Sequence, residues 1–495
     1  MSGLFIAVLP VSILIGGAFL IYLVSRFFQL SNRFESLLTV LVLIGTLVAL
    51  IFLYNQIPDL AGRPDAFFGL STPGGILWKP NALGVFILII ATVIGILISV
   101  FSGEYLSRDP RYLVYYPLVL LTLAGLMSMF LSNDLFNLFL LTEMTTIAAS
   151  SLIAFQYQHE NAIKASFKYL IMSSLGTMIM LLGIYFVYRS TGEMHLDRVL
   201  ASPDNFTRIG AACFLMGFSL KAGVVPLHTW VPDVYGNAPS AVSGLLAGVL
   251  SKSMLFIVPV ICLRLGMTRV ELGTYLMVFA CFNMLVGSIR MLKQHLLRRF
   301  LSFSSIAQTG YLMFGLGIGF YYNLDQGLSA GLYLFLVIAV MKCLAFLSAG
   351  IFQFYSGSQD IESLRGAGNR MPITAFCFSV ALAGLAGIPL LAGFTGKWMI
   401  FSASLAAGDL FSVICLGIFM VSTLIGLAGY LPILVKQYQP PTKAGIFLNP
   451  AERAPRVSRW MLAPVTLLAI LVLFIGIFPA PWINLVEQVM GWMLI

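Results

Sequence analysis

Apolar runs long enough to cross a hydrocarbon layer of ~30 Å, which takes about 20 helical residues, follow one another along almost the whole chain. They lie near 4–24, 36–54, 81–101, 112–132, 134–155, 162–188, 209–229, 238–264, 272–290, 301–320, 328–352, 372–402, 410–434 and 459–478. The pattern predicts an all-α polytopic membrane protein of about fourteen spans. The first run carries no positive n-region, since its earliest basic residue is Arg26, and it reads as a retained helix. The terminal PAPWINLVEQVMGWMLI reads as a short amphipathic or interfacial tail.

Two runs are punctuated alike. The seventh reads CFLMGFSLKAGVVPLHTW, with Lys221 before Pro226; the twelfth reads SVALAGLAGIPLLAGFTGKWMIF, with Pro389 before Lys397. Proline removes a backbone donor and clashes with the preceding turn, and nearby glycines ease the interruption, so both helices are expected to be discontinuous. Freed carbonyls at membrane depth are tolerated only inside protein or beside a wet cavity, so a break next to a lysine marks an ion site. The breaks are five spans apart, and five is odd, so spans 4–8 and 9–13 are expected to form inverted five-helix repeats. The implied divisions are 1–111 for helices 1–3, 112–264 and 265–434 for the repeats, and 435–495 for a basic loop, helix 14 and the tail.

Composition agrees with the pattern: 59% of the 495 residues are hydrophobic and 9% charged, too little polar material to cover a soluble fold. The net charge of +9 reads as topology rather than nucleic-acid binding. Lys and Arg concentrate in the 1–2, 3–4, 5–6, 9–10, 11–12 and 13–14 loops, which predicts that those loops are cytoplasmic and both termini outside. The basic stretches 290–299 and 436–459 are also suited to anionic lipid, but topogenesis is the plainer reason for them. Cys213, Cys262, Cys281, Cys343, Cys377 and Cys415 show no CxxC spacing, the four histidines lack paired spacing, and no GxGxxG or P-loop follows a strand. No iron–sulfur, structural zinc, bis-His haem or nucleotide site is expected, hence no cofactor or metal in this chain.

Five lysines remain inside the runs: Lys168, Lys221, Lys252, Lys342 and Lys397. By these boundaries no arginine does. Lysine can give up its proton when desolvated and arginine cannot, so a set of lysines can hand protons on. The carboxylate clearly inside a run is Glu143, with Asp134 nearer the start of that helix. Each charge at mid-membrane costs roughly 2.5–3.5 kcal/mol, a heavy burden on insertion without a purpose. Plainer readings stand beside this one. Lys168 lies about two turns into its helix and can extend to the interface; a Glu143–Lys221 pair can be structural glue; His228 can anchor an interfacial helix end. Gly327 and Gly331 have the small-xxx-small spacing of helix packing.

The run KAGVVPLHTWVPDVYGNAPSAVSGLLAGVLSK, residues 221–252, resembles the signature of the antiporter-like subunits shared by respiratory complex I, membrane-bound hydrogenases and Mrp-type cation/proton antiporters. LFNLFLLTEM around Glu143, ASFKYLIMSSLGTMIMLLG from Ala165, RRFLSFSSIAQTGY at 298–311, VMKCLAFLSAG around Lys342 and LAGIPLLAGFTGKW ending at Trp398 extend the resemblance over nearly the whole chain in order. It implies fourteen helices, inverted repeats and broken seventh and twelfth helices. It also implies that Glu143 pairs with Lys221, and that Lys252 connects them to Lys342 and Lys397. The chain departs from the family pattern at Thr142, where tryptophan is common before the glutamate, at Ile338, where some members have histidine, and at His295, where aspartate is frequent.

The resulting expectation is a proton-translocating subunit of a multisubunit membrane oxidoreductase, in the cell's inner membrane among other membrane subunits and lipid. Protons would move along Glu143, Lys221, Lys252, Lys342 and Lys397, with Lys168 and His228 as accessory candidates. The alternative is a subunit of an Mrp-type Na⁺/H⁺ antiporter, driven by sodium and without redox partners.

Overall fold

The computed structural model describes residues 2–28, 30–60, 68–69, 77–107, 109, 112–199, 204–440 and 456–491. Its first six spans are α1 (Ser2–Phe28), α2 (Asn32–Leu60), α3 (Ala82–Tyr105), α4 (Tyr112–Leu131), α5 (Leu135–Ile153) and α6 (Glu160–Thr191). Between α2 and α3, the two-residue strands Phe68–Gly69 and Leu77–Trp78 pair antiparallel. The seventh span is split into α7 (Asn205–Ala222) and α8 (Val231–Asn237). The eighth begins as α9 (Ser240–Leu245), passes through a π turn at Leu246–Leu250 and continues as α10 (Ser251–Arg264). Then come α11 (Arg269–Leu292), α12 (Leu297–Tyr322) and α13 (Asp325–Ser356), the one-turn α14 (Ala367–Arg370), and a split twelfth span, α15 (Pro372–Ala386) with α16 (Ala392–Ala407). The described chain ends with α17 (Leu410–Lys436), α18 (Arg459–Ile477) and α19 (Ala480–Gly491).

Eleven of these helices are long and apolar enough to cross a membrane. The remaining three of the fourteen are the two broken spans and α12, whose apolar face is interrupted by Ser302, Ser304, Ser305 and Gln308. The protein is thus an all-α polytopic membrane protein. Most of the predicted basic stretch at 436–459 lies outside the described residues. The predicted tail is the helix α19, which packs its Val486, Val489 and Met490 inward and lies against α13.

Helix α13 sits at the centre, with the whole of its apolar window buried, as suits a helix hydrophobic all round. Lipid tails provide no hydrophobic force between helices, so close backbone approach has to hold them together. Gly327 and Gly331 of α13 supply that approach to α12: a Cβ at Gly327 would stand 2.5 Å from the Gly319 nitrogen.

Both breaks are built the same way. Each first half-helix ends in a left-handed glycine, Gly223 at φ 73° and Gly387 at φ 87°. In α7, Val224 N donates to Ser219 O at 2.9 Å and Gly223 N to Leu220 O at 3.2 Å; in α15, Ile388 N donates to Ala383 O and Gly387 N to Gly384 O, both at 3.0 Å. These are two copies of one Schellman closure, and each falls in the fourth span of its five-span unit. The helix therefore stops at the glycine, before the proline that predicted the interruption: Pro226 and Pro389 follow by three and two residues and keep it from resuming.

Candidate functional site

Lys221 is the penultimate residue of α7, in its last turn, and is buried. Its Nζ donates to Thr146 Oγ1 at 2.7 Å. Thr146 in turn donates to the Thr142 carbonyl at 2.9 Å, which leaves its oxygen free to accept from the ammonium. The α7 carbonyl beside the break, Leu220 O, is satisfied by the Trp230 indole at 2.9 Å. Asn283 Oδ1 accepts from Val225 N at 3.3 Å inside the break.

Glu143 does not form the close ion pair that the sequence led us to expect. No ion pair within 4 Å joins it to Lys221. The carboxylate turns to α6, where it accepts from the hydroxyls of Thr177 and, at 3.4 Å, Ser174. Glu143 and Thr146 are one turn apart on nearly the same side of α5, and it is Thr146 that reaches Lys221 while Glu143 bonds to α6.

Lys221 and Ser251 line one cavity of ≈ 20 Å³, bordered also by Met129, Tyr169 and Trp230. That is room for one water. On its far side Ser251 Oγ receives the Tyr235 hydroxyl at 3.0 Å and lies 3.5 Å from Lys252 Nζ. Ser251 and Lys252 follow directly on the π turn, a feature often found at functional positions. The turn widens the helix so that Leu246 O takes the Ser251 amide, five residues on.

Helix α12 carries the line onward. Lys252 donates to Ser305, and Lys342, fully buried at mid-α13, donates to Ser304 and to Leu301 O at 3.0 Å. One turn further, Gln308 Nε2 donates to Leu385 O at 3.2 Å. That carbonyl also accepts from Lys397 Nζ at 3.1 Å, and Ala386 O does so at 2.8 Å. The carbonyls freed by the twelfth-span break are thus the ligands of its lysine. The Tyr311 ring lies 5.1 Å from the same ammonium, near enough for cation–π attraction. Lys221 precedes its break and Lys397 follows its own, so only Lys397 can reach back across it.

The structure buries Lys221, Lys252, Lys342 and Lys397, with Lys221 next to Ser251 across a shared cavity and Lys252 and Lys342 on neighbouring serines of α12, and it places Lys168 and His228 apart from them. Lys168 pairs with Asp233 at 2.5 Å, and Arg299 reaches the same carboxylate at 2.8 Å, all three part-exposed. His228 borders an open cavity of ≈ 560 Å³ with Arg290 and Arg299. Sequence reading missed Thr146, Ser251, Ser304, Ser305, Gln308 and Tyr311. The signal available was the recurrence of polar residues at helical spacing in SFSSIAQTGY, within a span that has no need of them. It also missed two buried charges. Glu35 is fully buried with neither oxygen hydrogen-bonded, and Arg298, 4% exposed, donates to Ala238 O.

Comparison with known proteins follows this geometry. Subunit N of the F(420)H(2) dehydrogenase of Methanosarcina mazei is 29% identical, over 96% of this chain and 96% of that protein. NADH-quinone oxidoreductase subunit N 2 of Chloroherpeton thalassium is 30% identical, over 96% and 93%. Among solved structures, a chain of the Mrp complex from Dietzia sp. DQ12-45-1b superposes with a TM-score of 0.85 at 21% identity, over 99% of this chain and 97% of that one. Residues 132–426, which hold both breaks and all four lysines of the path, match the family described as NADH:quinone oxidoreductase/Mrp antiporter, transmembrane, and the chain belongs to that family.

Proposed function

We propose that this chain is a proton-translocating subunit of a multisubunit membrane oxidoreductase, residing in the cytoplasmic membrane with both termini outside. The observation that carries the reading is the succession of buried ammonium and hydroxyl groups, Lys221, Ser251, Lys252, Ser305, Ser304 and Lys342, that leads towards Lys397. A hydroxyl both donates and accepts, so it can take a proton on one lone pair while releasing its own. Lys221 in its ammonium form passes a proton to the water that its cavity accommodates, Ser251 relays it, and Lys252 as the neutral amine receives it. Ser305 and Ser304 repeat the exchange towards Lys342. The last step, to Lys397, has Gln308 between the two lysines. Gln308 holds Leu385 O in place, and water has to carry the proton past it.

Glu143 acts from one side in this scheme. Its half-buried carboxylate, held by Thr177 and Ser174, sets the field at Thr146 without neutralising Lys221 by contact. Each charge moved against the membrane potential costs about 2.3 kcal/mol per 100 mV, so a partner must supply the energy. The two relatives at 29% and 30% identity carry the names of redox enzymes, which supports a redox partner. The family description also includes Mrp antiporters, which keeps sodium-driven exchange as the second reading.

Replacing Lys221 with alanine and following proton uptake in vesicles tests the path: uptake at the unsubstituted rate would sink it. Flavin or iron–sulfur absorbance in the purified native assembly separates the two drivers, because an assembly without chromophores supports the antiporter.

A further inference from the structure

The cavity bordered by His228 lies apart from the lysine path, among α8, α11 and α12. It measures ≈ 560 Å³ and opens outward, a size common for ligand sites. Helices α11 and α12 run in opposite directions from the loop that joins them, so the side chains on the cavity wall sort by depth. Arg290 lies in the last turn of α11 and Arg299 in the first turn of α12, while Leu285 and Phe303 stand about one turn deeper on the same two helices. Both arginines are thus at the loop end and the apolar walls below them. Val278, Phe282, Leu285 and Ile289 extend that apolar wall as one stripe of α11, at helical spacing, with Phe282 52% and Ile289 46% exposed.

The loop end carries an excess of positive charge. Its carboxylate, Asp233, is shared by Lys168 at 2.5 Å and Arg299 at 2.8 Å, and among the described residues no carboxylate pairs with Arg290. Lys168, Arg299 and Arg290 therefore face a single acid. Two nitrogens are also unanswered: Arg299 Nε and His228 Nδ1 are shielded from solvent and have no hydrogen-bond partner, although buried polar groups almost always find one. The chemistry that answers these groups together is an anion with several acceptor oxygens. A phosphodiester is one, and guanidinium groups hold phosphate oxygens by strong charge-assisted hydrogen bonds.

We propose that this cavity binds one anionic glycerophospholipid, its phosphodiester against Arg290, Arg299 and His228 and its acyl chains along the α11 stripe. Basic pockets between membrane helices suit such headgroups. The apolar wall selects a lipid over a soluble phosphate, which has nothing to place there. The excess charge selects an anionic lipid over a zwitterionic one, which brings a cation of its own. The lipid belongs to the leaflet on the side of the α11–α12 loop, the cytoplasmic one in the orientation proposed above. It ties α8, the second half of the broken seventh span, to α11 and α12.

The test uses the purified native assembly in detergent and two photoreactive lipids, phosphatidylglycerol and phosphatidylcholine, each with a diazirine on an acyl chain. Adducts are located by mass spectrometry. The phosphatidylglycerol probe is expected to label residues 278–289 about tenfold more than the phosphatidylcholine probe, and Arg290→Gln to lower that label by about tenfold, as loss of a charge-assisted hydrogen bond implies. Equal labelling by the two probes, or undiminished labelling in Arg290→Gln, overturns the proposal. So does loss of the label on adding inorganic phosphate at constant ionic strength, which assigns the arginines to a soluble anion. Absence of adducts at 278–289 overturns it as well, and assigns that face to another subunit. If Arg290→Gln fails to assemble, competition on the unsubstituted assembly decides: unlabelled phosphatidylglycerol is expected to remove the label and phosphatidylcholine to leave it, and equal removal by both overturns the site. The readout is labelling and not transport, so failure here leaves the lysine path standing.

Discussion

Ser304 and Ser305 are consecutive on α12, yet each holds a different lysine: Ser305 accepts from Lys252 of the eighth span and Ser304 from Lys342 of the eleventh. Adjacent helical residues point about 100° apart, so α12 stands between two lysine-bearing helices and serves both. Lys252, Lys342 and Lys397 share one helix as their spine, which the lysine positions alone do not reveal.

Removing one hydroxyl separates the contributions. A hydrogen bond to a charged group is worth ~1.5–3 kcal/mol, so Ser305→Ala and Ser304→Ala should each slow proton translocation by roughly tenfold to hundredfold without loss of assembly. The double variant should fall short of the product of the two, because both act on one relay. Uptake rates in vesicles check this.

Thr146→Val keeps the shape near Lys221 and removes its acceptor. Translocation should drop by about tenfold or more. Ser174→Ala removes the longer of the hydroxyl contacts to Glu143, and a fall of less than about threefold is expected from so long a hydrogen bond. Equal effects would contradict the geometry in which Lys221 leans on Thr146.

Gly387→Ala should be poorly tolerated. The residue sits at φ 87°, and its new Cβ would lie 3.0 Å from Lys397 Nζ. A left-handed backbone costs an ordinary residue roughly 1–2 kcal/mol, and the clash moves the ammonium off Leu385 O and Ala386 O. Lower thermal stability together with lost translocation is expected. Gly408→Ala, at φ 70° with its new Cβ in ordinary contact with Leu405 O at 3.8 Å, should lower stability alone.

Lys168→Gln should change translocation less than twofold. Its pair with Asp233 is part-exposed, and such pairs contribute about 0–1 kcal/mol. A loss as large as that of Lys221→Ala would place Lys168 back on the path.

The ion cluster at Asp197 makes stability depend on acid. Burial opposes its carboxylate, but Arg264 and Lys79 outweigh burial and hold its pKa below the ordinary 3.8. As pH falls, the unfolded chain binds the proton first. The cluster's stabilisation is therefore full above pH 3.8 and is lost as pH falls through the lower native value. Thermal unfolding of the purified assembly from about pH 5 to 3 should show this loss, and Asp197→Asn should flatten that part of the curve.

The apolar runs were enough to determine the number of spans and the places of both breaks, because a membrane demands length and apolarity and a broken helix demands glycine and proline, all local properties. The four lysines of the path were legible for the same reason, since a charge in an apolar run stands out. What joins them was not. Thr146, Ser251, Ser304 and Ser305 are ordinary helix residues one at a time, and hydroxyls in spans commonly bond their own backbone, as Thr142 does to Leu138 O. Only packing decides which hydroxyl meets a lysine.

Glu143 and Lys221 mark the boundary between the two kinds of information. Sequence places an acid and a base in neighbouring spans and favours their pairing, because unpaired charge is costly in hydrocarbon. The packing of α5 against α6 and α7 turns Glu143 to Thr177 and gives Lys221 to Thr146 instead. That packing is set by the sum of side-chain contacts along three helices, and no single residue's chemistry contains it. The half-buried carboxylate and the shared cavity at Ser251 both follow from that packing.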